Sequence, residues 1–509
     1  DLEYVAAETG EDGTERFFDV TESFTMRQGA ERIYMMNYDR RTNEIFSGDS
    51  DFFSGGRIML GISDGENLQA VSDASGRYHA FVANRVLWCY DEEERESTKV
   101  FAFRKSEEDL RNQYNSHGVR ILAVSESGEI DFLVYGYMSR GNHEGTTGVA
   151  LYRYAAGENT LTERLYLPVS EDYGSLRQDL GTLCYLSGGQ TLYLLLDHAV
   201  YSVNLTSREY MVVAEGLTEK NFAVSTDGSR IAWQEGTDWY ASEQLNVMDL
   251  ESGQKNEIVP GGGETVRLVG FVGSDLVYGL AHAGELQTAG GRVTGPLLYA
   301  VEIVGSGMET ETRYERDGIW LTEVTIEVSR VHMERVRKSG GGYVPADEDT
   351  LVCNKAVSVD PLEGIGYLTD SERGRQYFVQ LDPAAQIKSF GVRVPRQAAA
   401  EERNEIRLEA SRPLEVRMYY AYSGMRMEGA FSGFADAVGA VYDSMGVVTD
   451  GYGRVFWSRA GRSDSSTVAD VEGTAASVQH YLNEVAQGLQ TSADGTLLVD
   501  ARGLALNQV

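Results

Sequence analysis

Short apolar runs separated by polar turns recur along the first 395 residues of the chain. Three copies of one pattern begin with Ala-Val-Ser, continue through a polar turn that contains glycine, and lead into a second apolar run. The copies start at Ala70, Ala123 and Ala223, and their second runs start at Tyr78, Ile130 and Ile231. Because glycine readily adopts the positive φ that tight hairpin turns require, the pattern predicts a strand, a tight turn and a second strand.

A second set of apolar runs interleaves with the first. These runs start at Ile33, Leu87, Leu151, Val200, Leu245 and Leu298, with separations of 54, 64, 49, 45 and 53 residues. Two hairpins in each period of about 50 residues predict a four-stranded antiparallel unit. Since one such unit cannot bury both of its faces, we expect the copies to pack face to face around an axis. The sequence therefore predicts a mainly β protein, with a seven- or eight-bladed β-propeller over residues 1–395.

One copy of the repeat carries a family resemblance. Residues 223–233 (AVSTDGSRIAW), followed by residues 245–253 (LNVMDLESG), resemble the WD40-like repeat of bacterial TolB-type propellers. A similar repeat occurs in the propeller domains of prolyl-oligopeptidase-like proteins. The resemblance implies an extracytoplasmic scaffold for protein contacts, or a domain that gates an attached hydrolase. It implies no chemistry within the propeller itself.

The chain changes character after residue 395. The sequence predicts a charged linker over residues 396–404 and a smaller α/β domain over residues 405–509. Its expected elements are a strand at 414–422, a helix over 431–445, a hairpin over 447–457, a second helix at 474–487 and a strand at 496–499. The apolar segment that starts at Leu504 stops after about one helical turn, so we expect this domain to be truncated.

The second helix of the tail and the strand after it resemble the opening of a bacterial papain-like peptidase domain. Such a domain needs a cysteine nucleophile at the start of its central helix and a histidine later in the fold. No cysteine follows Cys353, and the only later histidine in the tail is His480. The resemblance therefore implies an incomplete or inactive domain. The sequence favours a non-catalytic protein and leaves an enzyme open.

Net charge narrows the range of partners. Lys and Arg number 45 and Asp and Glu number 78, which gives a formal charge of −33. A field of this sign repels a phosphate backbone, so we expect no nucleic-acid partner. No window approaches the roughly 20 apolar residues of a membrane-spanning helix, so we expect no membrane span. The TolB-type resemblance implies an extracytoplasmic protein, and the start at Asp1 rather than at Met is compatible with a signal peptide or an anchor upstream.

Three short motifs have ordinary structural interpretations. Residues 61–65 (GISDG) match the G-x-S-x-G nucleophile elbow, but a strand rather than a helix is predicted to follow. At 225–228 the glycine of a glycosidase Asp-box stands one place too early. Residues 48–51 open like a calcium loop, yet Phe52 and Phe53 occupy the positions where the next oxygen ligand is needed. Together with widely spaced cysteines and histidines, these motifs predict no catalytic residue, no metal and no cofactor.

The candidate binding residues are His143, Glu144 and Trp239. His143 and Glu144 lie in a long, glycine-rich loop at 139–148, and long loops on a rigid scaffold often carry contacts. A third interpretation makes the propeller channel a small-ligand or sugar site lined by Trp88, Trp233, Trp239 and Trp320, although large aromatic side chains more often fill the space between packed sheets. We expect a scaffold that binds a protein or an envelope component. The alternative is a regulatory propeller of a larger, peptidase-like hydrolase.

Overall fold

The computed structural model is mainly β. It describes residues 2–10, 13, 15–28, 32–63, 65, 68–103, 116–235, 239–289, 292–340, 342–353, 364–370, 374–381, 392–397, 404–408, 418–424, 426–444, 446–449, 455–458, 490–491 and 497–498. The chain divides into two compact units. The first contains residues 1–175, 362–405 and 414–509, and the second contains residues 176–361 and 406–413.

Three antiparallel sheets are built from the first part of unit one. The strands are β1 (Leu2–Thr9), β2 (Glu15–Gln28), β3 (Ile33–Glu44), β4 (Arg57–Met59), β5 (Gln69–Ser72), β6 (Tyr78–Ala83), β7 (Val86–Asp91), β8 (Glu96–Phe101), β9 (His117–Val124), β10 (Glu129–Tyr137), β11 (Thr147–Ala155) and β12 (Thr160–Pro168). A short 3-10 helix (Ser50–Phe52) precedes β4, and helix α1 (Tyr173–Thr182) follows β12. Strands β1–β3, β5–β8 and β9–β12 each form an antiparallel meander.

The hairpins of unit one confirm the strand, turn and strand predicted from the repeat. Gly76 lies between β5 and β6 with φ of 75°, and Gly128 lies between β9 and β10 with φ of 77°. In the first turn the carboxylate of Asp73 accepts hydrogen bonds from the backbone N–H groups of Ser75 (2.8 Å) and Tyr78 (2.6 Å). The polar residues of the repeat therefore satisfy the backbone where it reverses direction.

The sheet β5–β8 is buried on both faces. One face contributes Leu87 and Cys89 to an apolar cluster shared with Phe132 of β10. The opposite face contributes Phe81 and Trp88 to a second apolar cluster. Burial on both faces explains why β6 reads as a continuous apolar run rather than as an alternating one.

Unit two repeats the same construction. Its strands are β13 (Cys184–Ser187), β14 (Thr191–Leu196), β15 (Ala199–Asn204), β16 (Tyr210–Ala214), β17 (Phe222–Val224), β18 (Arg230–Gln234), β19 (Leu245–Asp249), β20 (Lys255–Ile258), β21 (Glu264–Val272), β22 (Asp275–Ala289), β23 (Arg292–Val304), β24 (Thr310–Glu315), β25 (Ile319–Glu327), β26 (Arg330–Ser339), β27 (Gly342–Pro345) and β28 (Asp349–Val352). Strands β13–β16 and β17–β20 form four-stranded antiparallel sheets.

The sequence repeat becomes irregular after residue 302, but these residues also form strands of a sheet. Strands β21–β28 form one eight-stranded sheet, in which β24 pairs with β23 and β28 pairs with β26. Its two halves meet where Leu298 of β23 stands opposite Leu321 of β25. The sheet therefore reads as two successive four-stranded groups, β21–β24 and β25–β28.

The remaining described strands return the chain to unit one. They are β29 (Ile365–Asp370), β30 (Gly374–Gln380), β31 (Val392–Arg393), β32 (Arg396–Gln397), β33 (Tyr419–Ser423), β34 (Arg426–Phe431), β35 (Val447–Thr449), β36 (Val455–Ser458), β37 (Gln490–Thr491) and β38 (Leu497–Leu498), with helix α2 (Phe434–Val441) between β34 and β35. Strand β30 pairs antiparallel with β4, so Phe378 stands opposite Met59. A late strand thus completes a sheet with an early one.

The segment after β30 runs along the edges of two sheets. Val392 and Arg393 pair in parallel with Ser97 and Thr98 of β8, on the open edge of that sheet. Arg396 and Gln397 likewise pair with the start of β12. The residues expected to open a charged linker therefore begin as an edge strand, because their backbone groups meet the unpaired edge of β12.

The described part of the tail contains a four-stranded sheet with a helix against it and a separate two-stranded sheet, β37–β38. Strands β34, β33, β35 and β36 are adjacent in that order and antiparallel. Helix α2 contributes Ala437 and Val441 to an apolar cluster with Ala421 and Val448. The hairpin and the first helix of the tail agree with the sequence, although the helix is shorter. The predicted helix at 474–487, with His480, and the segment after Leu504 lie outside the described residues.

Candidate functional site

Ser63 of the G-x-S-x-G match is held by the side chain of Asn43 on β3. Its hydroxyl donates to Oδ1 of Asn43 at 2.8 Å, and its backbone N–H donates to the same oxygen at 2.9 Å. Strand β5 follows the motif, as the sequence predicts, and no helix begins among residues 61–63, 65 and 68–72, which the structure describes. Gly61 has φ of 70°, which the close approach of the Glu44 backbone requires. The hydroxyl of Ser63 is therefore engaged by the fold.

The match to the Asp-box is a turn. The hydroxyl of Ser225 donates to Oδ1 of Asp227 at 2.6 Å, and the backbone N–H of Ser229 donates to the same oxygen at 3.1 Å. Burial opposes ionisation of Asp227, but these hydrogen bonds outweigh it and hold the pKa of this carboxyl below its usual range. The carboxylate fixes the turn between β17 and β18.

At the match to a calcium loop, apolar side chains fill the positions where oxygen ligands would be needed. Asp49 accepts a hydrogen bond from the hydroxyl of Ser47 at 2.6 Å, while Phe52 and Phe53 are buried against Phe46. Among the residues that the structure describes, no group of three or more His, Cys, Asp or Glu side chains has the geometry to hold a metal ion. Within the same residues, no helix is long and apolar enough to cross a membrane.

The loop at 139–148 is fixed by contacts of His143. Its Nε2 lies 2.9 Å from Oε1 of Glu163, and its ring stacks on Tyr166. Oε2 of Glu163 accepts a hydrogen bond from Tyr152 at 3.0 Å. Burial, together with the charge of Glu163, raises the pKa of Tyr152 well above its usual range. These contacts anchor the loop on β11 and β12, and they leave Glu144 exposed on its surface.

Trp239 lies in a different environment, on the loop between β18 and β19. The ammonium of Lys220 lies 5.3 Å from the centroid of its ring, and the guanidinium carbon of Arg267 lies 5.2 Å from it. Both distances are within the range of a cation–π contact. The indole is half-buried, and Lys220 is exposed. Two cations therefore meet one aromatic ring in a protein of strongly negative net charge.

Gln234, at the end of β18, determines where Trp239 lies. Its side-chain Nε2 donates to the backbone carbonyls of Trp239 (3.1 Å) and Val266 (2.8 Å). Its Oε1 accepts from the backbone N–H of Leu268 at 2.9 Å. Since Val266 and Leu268 flank Arg267 on β21, one buried amide joins the loop of Trp239 to the strand that carries Arg267.

Arg267 is a charged residue in the largely apolar strand β21. Val266 and Leu268 belong to the apolar core, and alternation along β21 places the side chain between them on the other face. Burial lowers the pKa of Arg267, and the charge of Glu323 partly offsets this effect. Across the part of the chain that the structure describes, neither Arg267 nor Lys220 has a side-chain hydrogen bond or an ion pair within 4 Å.

The other tryptophans of the channel hypothesis have separate surroundings. Trp88 and Trp233 are 2% and 3% exposed and belong to the apolar cores of unit one and unit two respectively. Both therefore fill space between packed sheets, as large aromatic side chains usually do. Trp320 donates from Nε1 to Oε2 of Glu285 at 3.2 Å and contacts the ring of Tyr343.

Sequence reasoning found Trp239 but missed Arg267 and Lys220. A signal for Arg267 is present, because a single cation interrupts the apolar run of β21 at a position where alternation makes one side chain face away from the core. Nothing in the sequence shows that the two cations meet the same indole. That meeting depends on the packing of three segments in unit two.

The chain matches no known protein-family profile and no curated protein sequence. It is similar to several solved structures at low identity. The β-propeller domain of the trilobed protease of Pyrococcus furiosus, described as having an open velcro topology, is 13% identical. That match covers 69% of this chain and 95% of the other, with a TM-score of 0.25.

Two peptidases are also similar. A prolyl endopeptidase structure is 12% identical, over 74% of this chain and 54% of the other, with a TM-score of 0.28. Dipeptidyl peptidase 4 of Porphyromonas gingivalis is 11% identical, over 59% of this chain and 55% of the other, with a TM-score of 0.22. The chain thus spans about half the length of each peptidase. TM-scores of this size do not by themselves establish a shared fold.

Proposed function

We propose that this chain is a non-catalytic, extracytoplasmic β-propeller scaffold that binds a protein partner. Seven groups of strands serve as its blades: β5–β8, β9–β12, β13–β16, β17–β20, β21–β24, β25–β28, and β29–β30 with β4. Six of the groups contain four consecutive strands each, and the seventh has three strands, of which β4 comes from an early part of the chain. The extracytoplasmic location is supported by the TolB-like repeat at 223–253.

The observation that carries the binding function is the contact of Lys220 and Arg267 with Trp239. Tryptophan and arginine are the residues most enriched at positions that dominate the energy of protein–protein interfaces. An indole contributes a large apolar area, and a guanidinium contributes several hydrogen-bond donors. Here both belong to one small surface on connected segments of unit two.

The same surface is held rigidly. The buried amide of Gln234 ties the loop of Trp239 to β21, and β21 pairs along its length with β22 in an eight-stranded sheet. A preorganised surface loses less conformational entropy on binding than a flexible loop does.

The test is capture of a partner by the whole chain. Protein with residues 1–509 is immobilised and exposed to envelope extract of the source organism, at low and at high salt, beside the variants Trp239→Ala and Met211→Ala. Met211 is a matched control because it is also an apolar side chain of unit two and is 58% exposed. We expect one discrete protein to be retained at high salt by wild type and Met211→Ala, and lost with Trp239→Ala.

The affinity for the captured protein is then measured with purified components. We expect Trp239→Ala to weaken binding by about 2 kcal/mol or more, which is the usual threshold for a dominant interface residue. Equal capture by Trp239→Ala and wild type would remove this surface from the binding function. If only basic proteins are retained and high salt releases them, the scaffold function itself is wrong.

A further inference from the structure

Arg267 is a half-buried cation that has no ion pair with any of the residues that the structure describes. Its guanidinium lies over the ring of Trp239. The negative charge of Glu323 acts on it, but the two side chains form no ion pair within 4 Å. A cation–π contact uses the charge of a guanidinium but none of its N–H hydrogens. Removing a cation from water without supplying hydrogen bonds is unfavourable. None of the nitrogens of Arg267 is among the fully buried, unpartnered side-chain atoms, so its donors reach solvent and are available to an acceptor from outside.

The local charge suits a monovalent anion. Lys220 and Arg267 contribute two positive charges beside the indole, and Glu323 acts on Arg267 with one negative charge. Counted over these three described residues, the balance is about one positive charge, which a single carboxylate would neutralise. A dianionic phosphate would exceed this balance, in a protein whose formal charge is already −33.

We propose that Arg267, Lys220 and Trp239 form a subsite for the side-chain carboxylate of an acidic peptide segment of the protein partner. A guanidinium presents a planar fork of donors that matches a carboxylate with two parallel hydrogen bonds. Lys220 adds a second charge, and the indole covers the apolar part of the segment. This proposal deepens the proposed scaffold function and rests on it.

Gly295 of β23 borders the subsite and offers a way to fill it from within. A Cβ atom at this position would lie 3.6 Å from the Trp239 ring and 3.9 Å from Nη1 of Arg267, which are ordinary contact distances. A side chain of two further atoms could therefore reach the guanidinium. Gly295→Asp brings a carboxylate to Arg267, whereas Gly295→Asn has nearly the same shape without the charge.

The experiment uses the full chain labelled with 5-fluorotryptophan, which gives one fluorine signal for each of the five tryptophans. The variant Trp239→Phe assigns the signal of Trp239. The probes are an acetylated and amidated tripeptide with a central glutamate, the same tripeptide with glutamine, and inorganic phosphate. We expect the glutamate peptide to shift the Trp239 signal saturably, with the glutamine peptide and phosphate at least about tenfold weaker, as for the loss of a charge-assisted pair.

Variants test whether the response to the peptide depends on the negative charge of its carboxylate or only on the shape of the surface. We expect Arg267→Gln to weaken the response to the glutamate peptide by about tenfold, Gly295→Asp to abolish it, and Gly295→Asn to retain it, with circular dichroism confirming that each variant is folded. The proposal is overturned if the glutamate and glutamine peptides act alike, if phosphate binds more tightly, if Arg267→Gln titrates as wild type, or if both Gly295 variants lose the response equally.

These results are distinguishable from failure of the scaffold function. If envelope extract yields a partner that depends on Trp239 but the glutamate peptide has no effect, the scaffold stands and the carboxylate subsite is wrong. If the glutamate peptide binds as expected but no protein is captured, the subsite stands and the scaffold function is wrong.

Discussion

The imidazole ring of His143 lies flat on the phenol ring of Tyr166, with ring centroids 3.5 Å apart and the planes inclined by 9°. The same imidazole contacts the carboxylate of Glu163. Both partners belong to β12, so one side chain fastens the loop at 139–148 to a strand of its own sheet. The loop is long and polar, as a binding loop would be, yet its histidine is engaged by the fold.

Replacing His143 is expected to affect stability rather than binding. His143→Ala removes the ring stack and the contact with Glu163, and the free energy of unfolding should fall by about 1–2 kcal/mol. Urea denaturation measures this change, and Glu144→Gln, an exposed neighbour in the same loop, is the control. Partner capture should equal that of wild type. A variant with normal stability and lost capture would make His143 a contact residue.

Two glycines with similar φ are expected to tolerate alanine differently. Gly61 has φ of 70° and Gly76 has φ of 75°. A methyl group at Gly61 would collide with the backbone carbonyl of Glu44, whereas nothing lies within 4 Å of a methyl group at Gly76. Gly76→Ala should cost about 1–2 kcal/mol for its backbone conformation alone. Gly61→Ala should cost clearly more, measured by thermal denaturation, and equal losses would contradict this explanation.

Asp73 is expected to make stability depend on pH in the acid range. Burial disfavours its charge, but hydrogen bonds from the Ser75 hydroxyl and from backbone N–H groups hold the pKa of Asp73 below its usual range. A carboxyl group whose native pKa is depressed stabilises the fold above its unfolded pKa, and this contribution disappears as the pH falls through the native pKa.

The variant Asp73→Asn isolates this effect. It should be less stable than wild type at pH 7 by about 1–3 kcal/mol, because a buried charge-assisted network is lost. The difference should shrink steadily below about pH 4, where the unfolded carboxyl group takes up its proton. Urea denaturation at several pH values measures it, with the exposed Glu126→Gln as control. A difference that is the same at pH 7 and pH 3 would contradict the role of the charge.

Cys89 is expected to resist alkylation in the folded protein. Burial, reinforced by the charges of Asp91 and Asp73, raises the pKa of the Cys89 thiol to about 12. At pH 8 the reactive thiolate is therefore scarce, and the side chain is enclosed within the core. Mass spectrometry after iodoacetamide treatment should find Cys89 unmodified in native buffer and modified in urea. Rapid modification in native buffer would show that the sheet β5–β8 opens readily.

The strand pattern of the repeats could be predicted because local rules determine it. Gly76, Gly128 and Gly228 all have the positive φ that the hairpin turns require, and the apolar runs after them are strands. The edge pairing of Arg396 could not be predicted in this way. It uses only backbone groups of a strand more than 200 residues earlier, and a charged sequence carries no trace of that partner.

The candidate site was accessible from sequence only in part. Trp239 stands out as an aromatic residue in a polar loop, and Arg267 interrupts an apolar strand. Their meeting depends on the buried amide of Gln234, which joins two segments through backbone groups. Hydrophobic periodicity contains no information on such a link, because the amide acts through hydrogen bonds rather than through its place in the pattern.

The pairing of β4 with β30 has a consequence for how the protein is made. More than 300 residues separate Ile58 from its partner Val379. At a synthesis rate of about 5–20 residues per second, β4 leaves the ribosome some 15–60 s before β30 does. During that interval the edge of β4 that pairs with β30 lacks its native partner, and Tyr377 and Val379 are still missing from the apolar cluster that contains Ile58. Chaperones that shield nascent strands should therefore determine the yield of this protein more than its final stability does.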